Sequence, residues 1–178
     1  MKKTILYSFA TFILLIGAVS CRPADSDYAW GEALVYMPQA TYSPYLVPNG
    51  GTVAQTNRNY EIDEENRVLN IYLGVYRSGL QPLGAYTVSV DVLDEKLPGT
   101  TALIPAYYDL PMDVSCPAGQ RDVSFNLSVD LDYLIANRTK VFSLVVYIYD
   151  CAPYPLNEDL TTTSIQINTK ELLEKENL

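Results

Sequence analysis

The sequence contains no histidine among its 178 residues. Histidine is the commonest general base in enzymes and a frequent neutral metal ligand. Its absence excludes Ser-His-Asp and Cys-His catalysis, and it also excludes zinc bound by histidine. Because no other catalytic motif is visible, we predict that the protein is not an enzyme and that it has no catalytic residue, metal site or cofactor.

Paired carboxylates are the one catalytic alternative that the sequence leaves open. Asp130 lies near Asp132, and Asp91 lies near Asp94 and Glu95. Such a pair hydrolyses a glycoside when its carboxyl groups are held about 5 to 9 Å apart across a cleft. Closeness in sequence does not create a cleft, so we expect these carboxylates to be solvated on strand faces and in turns.

Basic residues are scarce relative to acidic ones. The chain has 12 lysines and arginines against 21 aspartates and glutamates, a formal net charge of −9. Proteins that bind nucleic acid neutralise its phosphates with lysine and arginine. We therefore predict no nucleic-acid partner, and we interpret the acidity as that of an exposed, well-solvated surface.

The N-terminal segment has the organisation of a secretory signal. Lysines at positions 2 and 3 precede an apolar run over residues 5–16, and mostly small residues at 17–20 lead into Cys21, as in a lipobox. The run is shorter than the roughly 20 residues that span a bilayer. We predict a lipoprotein signal peptide over residues 1–20, lipidation of Cys21, a tether over 21–29 and a lipid-anchored position on the outer membrane, at the cell surface. A retained membrane anchor is the alternative.

Only two cysteines remain once Cys21 is assigned to lipid. Cys116 and Cys151 are separated by 35 residues in a chain that we expect to be exported. Exported proteins meet an oxidising environment, in which a disulfide between the two is possible. Two buried free thiols are the equally weighted alternative, because the sequence does not show whether the cysteines approach each other.

Alternating apolar and polar residues predict strands through most of the remaining chain. Odd positions 123 to 131 are apolar and even positions 124 to 130 are polar, which is typical of a strand with one buried face. Residues 141–149 are apolar on both faces, which predicts a central strand. The predicted strands cover residues 33–37, 68–76, 86–92, 114–116, 123–131, 141–149 and 161–167.

Turns rich in proline and glycine separate these segments, and no long amphipathic helix lies between them. This pattern predicts an all-β fold, an antiparallel β-sandwich of about seven strands over residues 30–168. A closed barrel is the alternative. Residues 169–178 are predicted to form a short C-terminal helix or tail, with Asn168 or Thr169 as the helix cap.

Aromatic residues are the candidate ligand contacts, because their faces stack on sugar rings. Tyrosine is also a favoured strand residue, so tyrosines within the predicted strands are expected to serve packing. Aromatic side chains beside prolines or at strand ends are the better candidates, since binding residues concentrate in loops. The predicted ligand-binding residues are Trp30, Tyr42, Tyr45, Tyr107, Tyr108 and Tyr154.

Five short motifs occur in a characteristic order: ALVYMPQA at 33–40, LGVYRSG at 73–79, YDLP at 108–111, PAG at 117–119, and PLN at 155–157 followed by TTT at 161–163. In these motifs the chain resembles the domain of unknown function 1735, the N-terminal module of surface lipoproteins in glycan-utilisation systems of gut Bacteroidetes. The resemblance implies an immunoglobulin-like sandwich tethered to the outer membrane, often placed ahead of a glycoside hydrolase or a carbohydrate-binding domain. It implies no catalytic residue.

Two functional hypotheses follow. The first is a non-enzymatic lipoprotein of the cell surface that binds a polysaccharide or oligosaccharide, or that supports a glycan-utilisation complex, with the membrane and outer-membrane glycan-transport proteins as partners. The second is a structural or protein-interaction module, such as a transporter accessory or an adhesive surface protein. Aromatic side chains gathered around one groove favour the first, whereas a flat apolar patch of several hundred Å² favours the second.

Overall fold

The computed structural model describes residues 33–48, 58–79 and 83–178. The predicted signal peptide over 1–20, Cys21, the tether over 21–29 and Trp30 lie outside the described residues. Ala33–Leu178 forms one compact unit. Among the described residues, no helix is long and apolar enough to cross a membrane.

The residues of this unit that the structure describes are mostly β-structure and form eleven strands. In chain order they are β1 (Val35–Tyr36), β2 (Tyr45–Val47), β3 (Tyr60–Asp63), β4 (Val68–Arg77), β5 (Tyr86–Leu93), β6 (Thr101–Ala102), β7 (Tyr108–Asp109), β8 (Asp113–Cys116), β9 (Asp122–Asp130), β10 (Val141–Ala152) and β11 (Thr162–Asn168). Three 3₁₀ turns, Pro38–Thr41, Pro105–Tyr107 and Glu158–Leu160, connect some of them.

The strands form two sheets over one apolar core. The first sheet, sheet A, has the order β1-β4-β9-β7, and β3 also pairs with β4. The second, sheet B, has the order β2-β11-β10-β5-β8, and β6 also pairs with β10. Buried side chains of both sheets join in a single cluster, which confirms the prediction of an all-β sandwich.

Strand β4 shows why these residues fold into a sheet with two different faces. Leu69, Ile71, Leu73 and Val75 are at most 2% exposed, whereas the residues between them are partly exposed. Strand β9 pairs with β4 over nine residues, from Val68 opposite Asp130 to Tyr76 opposite Asp122. Since successive side chains point to opposite faces, this register gives sheet A an apolar inner face and a polar outer face.

Strand β10 is the centre of sheet B, as its apolar sequence predicts. It pairs with β11 on one edge and with β5 on the other. Phe142, Leu144, Val146 and Ile148 are all buried against the core.

The strand count differs from the prediction of about seven because four of the strands are very short and lie outside the predicted strand segments. Strands β2, β3, β6 and β7 have two to four residues each, which is too few to show an alternating pattern. The sheets are also not wholly antiparallel, because β2 pairs with β11 and β6 pairs with β10 in parallel.

The described part of the chain also has two short α-helices that contact each other, α1 (Leu131–Ala136) and α2 (Thr169–Glu176). Asn168 caps α2, since its Oδ1 accepts a hydrogen bond from the backbone N–H of Glu171 at 3.3 Å. Leu172 and Leu173 are fully buried, and the Glu176 carboxylate accepts hydrogen bonds from Arg58 and Tyr60. Of the two alternatives for residues 169–178, the structure has the helix, and this helix contributes to the core.

We expect Leu172→Ala to lower the free energy of unfolding by about 2–5 kcal/mol, because it leaves a cavity under α2. Urea unfolding of the variant measures this loss. Lys170→Ala on the same helix is the control, since its side chain is exposed, and it should change stability by less than about 0.5 kcal/mol. Equal stability of both variants would show that α2 does not support the core.

Candidate functional site

Two of the predicted ligand-binding residues, Tyr107 and Tyr108, line one cavity. This cavity has a volume of about 430 Å³ and lies where the β3–β4 turn, β7, β9 and the start of α1 meet. We call it the tyrosine cavity. Besides the two tyrosines, its polar lining residues are Asn66, Arg67, Asp109, Ser128, Asp130 and Asp132.

The ring of Tyr107 is held in place by stacking. Tyr107 ends the 3₁₀ turn that begins at Pro105, and its ring lies on that of Tyr133, with centroids 3.8 Å apart and planes 8° apart. Tyr133 in turn contacts the buried ring of Phe142 at 5.3 Å. The aromatic wall of the cavity is therefore connected to the core and has little freedom to rotate.

Tyr108 lies at the edge of the cavity, and its ring packs against the core. Strand β7 pairs with β9, which places Tyr108 opposite Val129 and Asp109 opposite Ser128. Burial raises the pKa of the Tyr108 hydroxyl, and the Asp91 carboxylate raises it further. The hydroxyl therefore stays protonated at neutral pH and can both donate and accept a hydrogen bond.

The β3–β4 turn is held by its own side chains. The Asp63 carboxylate accepts hydrogen bonds from the Asn66 backbone N–H at 2.9 Å and from its Nδ2 at 2.8 Å. The side-chain bond from Asn66 and, to a smaller extent, its backbone bond lower the pKa of the Asp63 carboxyl. This turn presents Asn66 and Arg67 to the tyrosine cavity, and Arg67 adopts a positive φ of 58° to do so.

The carboxylates of Asp130 and Asp132 already have partners within the protein. Asp130 Oδ1 caps α1 by accepting a hydrogen bond from the backbone N–H of Tyr133 at 2.9 Å. Asp132 Oδ1 pairs with Arg67, at 2.6 Å from Nη2 and 3.1 Å from Nε. Both carboxylates are used to fix the wall of the cavity, which gives them a structural role.

The other predicted ligand-binding residues do not reach this cavity. Tyr45 is 4% exposed and its hydroxyl lies 3.4 Å from the backbone oxygen of Tyr72, while Tyr42 is half-buried against the core. Tyr154 packs edge-on against Tyr86, with centroids 6.0 Å apart, and lies under the guanidinium of Arg77. Trp30 is outside the described residues.

The two cysteines are free thiols, Cys116 buried and Cys151 partly exposed. Cys116 pairs with Tyr86 on one edge of β5, and Cys151 pairs with Val88 on the other edge. Two strand spacings of about 4.8 Å therefore separate the cysteines, which is more than the Cα distance that a disulfide allows. The structure therefore has two separate free thiols, of which Cys116 alone is buried.

Sequence patterns did not single out Asn66, Arg67, Asp109 or Ser128 as site residues. The pairing of β4, β7 and β9 brings Asn66, Arg67 and Ser128 to Tyr107 from distant parts of the chain, so no local pattern could reveal these three. Asp109 had one signal, because it directly follows Tyr108 in the YDLP motif.

No protein-family model matches the chain, and no curated protein matches it. Similar solved structures come from Bacteroides ovatus. One is a protein of unknown function, with 20% identity over 56% of this chain and a TM-score of 0.45. A second, provisionally described as a carbohydrate-binding protein, has 12% identity over 75% of this chain and a TM-score of 0.45.

A third is described as a multidomain protein including domain of unknown function 1735, with 14% identity over 61% of this chain and a TM-score of 0.41. This is the domain that the five sequence motifs resemble. The present chain spans 36% of the length of each of these three solved chains.

We expect unfolded, unreduced protein carrying Cys21→Ser to show two reactive thiols with Ellman's reagent, because both remaining cysteines are free. In the native protein Cys151 should react slowly at pH 8 and faster as the pH rises, since burial raises the pKa of its thiol and the thiolate is the reactive form. An added Cys151→Ser change should remove one thiol. The absence of reactive thiols in the unfolded protein would instead indicate a disulfide.

Proposed function

We propose that this protein is a non-enzymatic lipoprotein of the cell surface that binds glycan in the tyrosine cavity. The observation that carries the proposal is the convergence of the Tyr107 ring with amide, hydroxyl and charged side chains on one cavity of about 430 Å³. Small-molecule sites are concave and combine an apolar surface with a few placed polar groups.

The chemistry of the cavity suits a sugar ring. A pyranose has a face of C–H groups that packs on an aromatic ring, and a rim of hydroxyl groups that donate and accept hydrogen bonds. The Tyr107 ring supports such a face, while Asn66, Asp109 and Ser128 are available to the rim. Ser128 is held by its own hydrogen bond, which it donates to Asn70 Oδ1 at 2.7 Å.

The charge of the cavity favours a neutral glycan over an acidic one. Three aspartates and one arginine line it, and Asp132 already pairs with that arginine. A uronic acid or a sulfated sugar would meet an excess of like charge, whereas a neutral hydroxyl donates readily to a carboxylate.

The non-enzymatic part of the proposal is supported by the roles of two of the three aspartates that line the cavity. Asp130 caps α1 and Asp132 pairs with Arg67, so neither stands free as a general acid or nucleophile. The alternative of a protein-interaction module would need a flat apolar patch. The large exposed apolar side chains among the described residues, Leu46, Ile104, Met112 and Tyr149, instead lie on four separate segments.

The surface location is supported by the residues that surround Cys21. A lipid on this cysteine would hold the domain at the membrane, since each buried methylene contributes about 0.8 kcal/mol and stable anchoring needs more than one acyl chain. A lipid-anchored glycan-binding domain fits a role beside outer-membrane glycan-transport proteins, to which it would deliver bound glycan.

Replacing Tyr107 with alanine should weaken glycan binding by about tenfold or more, because the aromatic wall is lost. The loss of the Tyr133 stack should also lower stability by about 0.5–1.5 kcal/mol. A glycan array followed by titration of each hit measures the binding. Tyr149→Ala on β10 is the matched control, since this tyrosine is 44% exposed and lies outside the cavity. Equal binding by both variants would contradict the proposal.

Replacing Cys21 with serine should abolish incorporation of labelled palmitate and move the protein from the membrane fraction to the soluble fraction, because the predicted acceptor thiol of the lipobox is lost. Cys151→Ser should leave both properties unchanged. Membrane retention of the Cys21→Ser protein would indicate an uncleaved anchor instead of a lipid.

A further inference from the structure

A second cavity crosses the outer face of sheet A above Gly74. Its volume is also about 430 Å³, and it shares no lining residue with the tyrosine cavity. We call it the Gly74 cleft. It is lined by Gln39, Asn59, Tyr72, Gly74, Tyr76 and Ser124, among others. Tyr45, one of the predicted ligand-binding residues, also lines it, and so do the oppositely charged Arg58 and Asp122.

Strand β4 supplies both aromatic walls of this cleft. Tyr72 and Tyr76 point outward from positions four residues apart, so their Cα atoms are about 13 Å apart along the strand. The Tyr72 hydroxyl donates a hydrogen bond to Glu61 Oε2 at 2.8 Å, and the Tyr76 ring lies 5.4 Å from that of Tyr36. Both rings are therefore held by neighbours on adjacent strands.

Two small residues make the floor of the cleft low. Gly74 lies opposite Ser124 in the β4–β9 register, so no bulky side chain rises between the two tyrosines. A Cβ atom at position 74 would lie 3.3 Å from the backbone oxygen of Val123 and 4.0 Å from Gln39 Nε2. A larger side chain here would fill the cleft.

The third wall is formed where sheet A has a gap along one edge of β4. Strand β3 pairs with β4 at residues 68–71, and β1 pairs with it at residues 76–77. Between these two strands, the backbone N–H of Tyr72 donates a hydrogen bond to the backbone oxygen of Asn59 at 3.0 Å. Gln39, from the 3₁₀ turn Pro38–Thr41, and Asn59 line the cleft at this interval.

These two amides carry unpaired oxygen atoms. Asn59 is 5% exposed, and its Nδ2 donates to the backbone oxygen of Leu46 at 2.8 Å, which fixes the orientation of the amide. Its Oδ1 has no hydrogen-bond partner, and neither has the buried Oε1 of Gln39. Buried acceptors are paired in the great majority of cases, and an unpaired one destabilises the protein. Two at one cleft indicate a ligand that donates hydrogen bonds.

We propose that the Gly74 cleft is a second binding site, for a neutral sugar ring. Hydroxyl groups of the ring donate to Gln39 Oε1 and Asn59 Oδ1, and its C–H face packs on Tyr72 or Tyr76.

This site goes beyond the proposed function, because it does not use the tyrosine cavity. Val68, which lines that cavity, is six residues along β4 from Gly74, or about 20 Å. Oligosaccharides are therefore the right probes for both sites.

The first test fills the cleft without disturbing the fold. Ser124→Phe places a ring over Gly74, and an aromatic side chain opposite a glycine is compatible with a sheet. Asn126→Phe is the matched control, because Asn126 is exposed on the same strand, opposite Tyr72, and does not line the cleft. Both variants should fold with similar melting temperatures.

The second test separates a binding role of Gln39 from a structural one. In Gln39→Met, the methionine side chain is similar in size to glutamine but has no amide oxygen. If the oxygen serves a ligand, the variant should bind sugar about tenfold more weakly and yet melt at a higher temperature without ligand. A purely structural role of the amide would lower the melting temperature instead. This variant also tests the cleft if Ser124→Phe does not fold.

The experiment is calorimetric titration of the mature protein in detergent with soluble oligosaccharides of glucose, mannose, galactose, xylose and N-acetylglucosamine. We expect two binding events in the wild-type protein. Ser124→Phe should lose the event at the Gly74 cleft, and Asn126→Phe and Tyr107→Ala should retain that event.

Wild-type binding by both Ser124→Phe and Gln39→Met would overturn the second site. If Tyr107→Ala then abolishes binding, the proposed function stands alone. If Ser124→Phe abolishes all binding and Tyr107→Ala none, only the cleft stands. A wild-type protein that binds no probe overturns both proposals.

Discussion

The pairing of β4 with β9 is the constraint on which the core and both cavities depend. Its nine-residue register directs the aliphatic side chains of both strands between the sheets and their polar and aromatic side chains to the outer face. A slip of one residue would exchange the two faces. The same register places Ser124 opposite Gly74 and Asp130 opposite Val68, so the cleft and the tyrosine cavity are consequences of the pairing that builds the core.

The C-terminal helix α2 fixes the position of residues at the edge of sheet A. Its apolar side chains are buried, and the Glu176 carboxylate near its end accepts hydrogen bonds from Arg58 and Tyr60. These two residues flank Asn59, the amide that lines the Gly74 cleft. The position of a wall of the cleft is thus coupled to a helix that sequence alone left as either a helix or a tail.

The parts of the fold that follow from local sequence were predictable. The alternation in β9, the two-faced apolar run of β10 and the cap at Asn168 each depend on residues close together in the chain. The short strand at Tyr45–Val47 and the relation of Cys116 to Cys151 depend on which strands become neighbours. The same holds for the candidate sites: Tyr107 and Tyr108 stood out as loop aromatics, whereas Arg67 and Ser128 join them only through the register. Tyr72 and Tyr76 were expected to serve packing, because strand alternation does not distinguish a solvated face from a binding face.

The two cavities differ in how their polar groups are satisfied. In the tyrosine cavity the carboxylates of Asp130 and Asp132 have hydrogen-bond partners within the protein, so these two groups do not lower the stability of the fold. In the Gly74 cleft Gln39 Oε1 and Asn59 Oδ1 have none. Each unpaired buried acceptor costs about 1–3 kcal/mol, a sizeable share of the 5–15 kcal/mol that is typical of a domain. A methionine at position 39 would avoid one of these penalties, so stability alone does not account for the glutamine. A ligand hydroxyl that donates to Gln39 Oε1 accounts for the glutamine. It satisfies the unpaired acceptor only in the bound state, and the free energy regained there adds to the affinity.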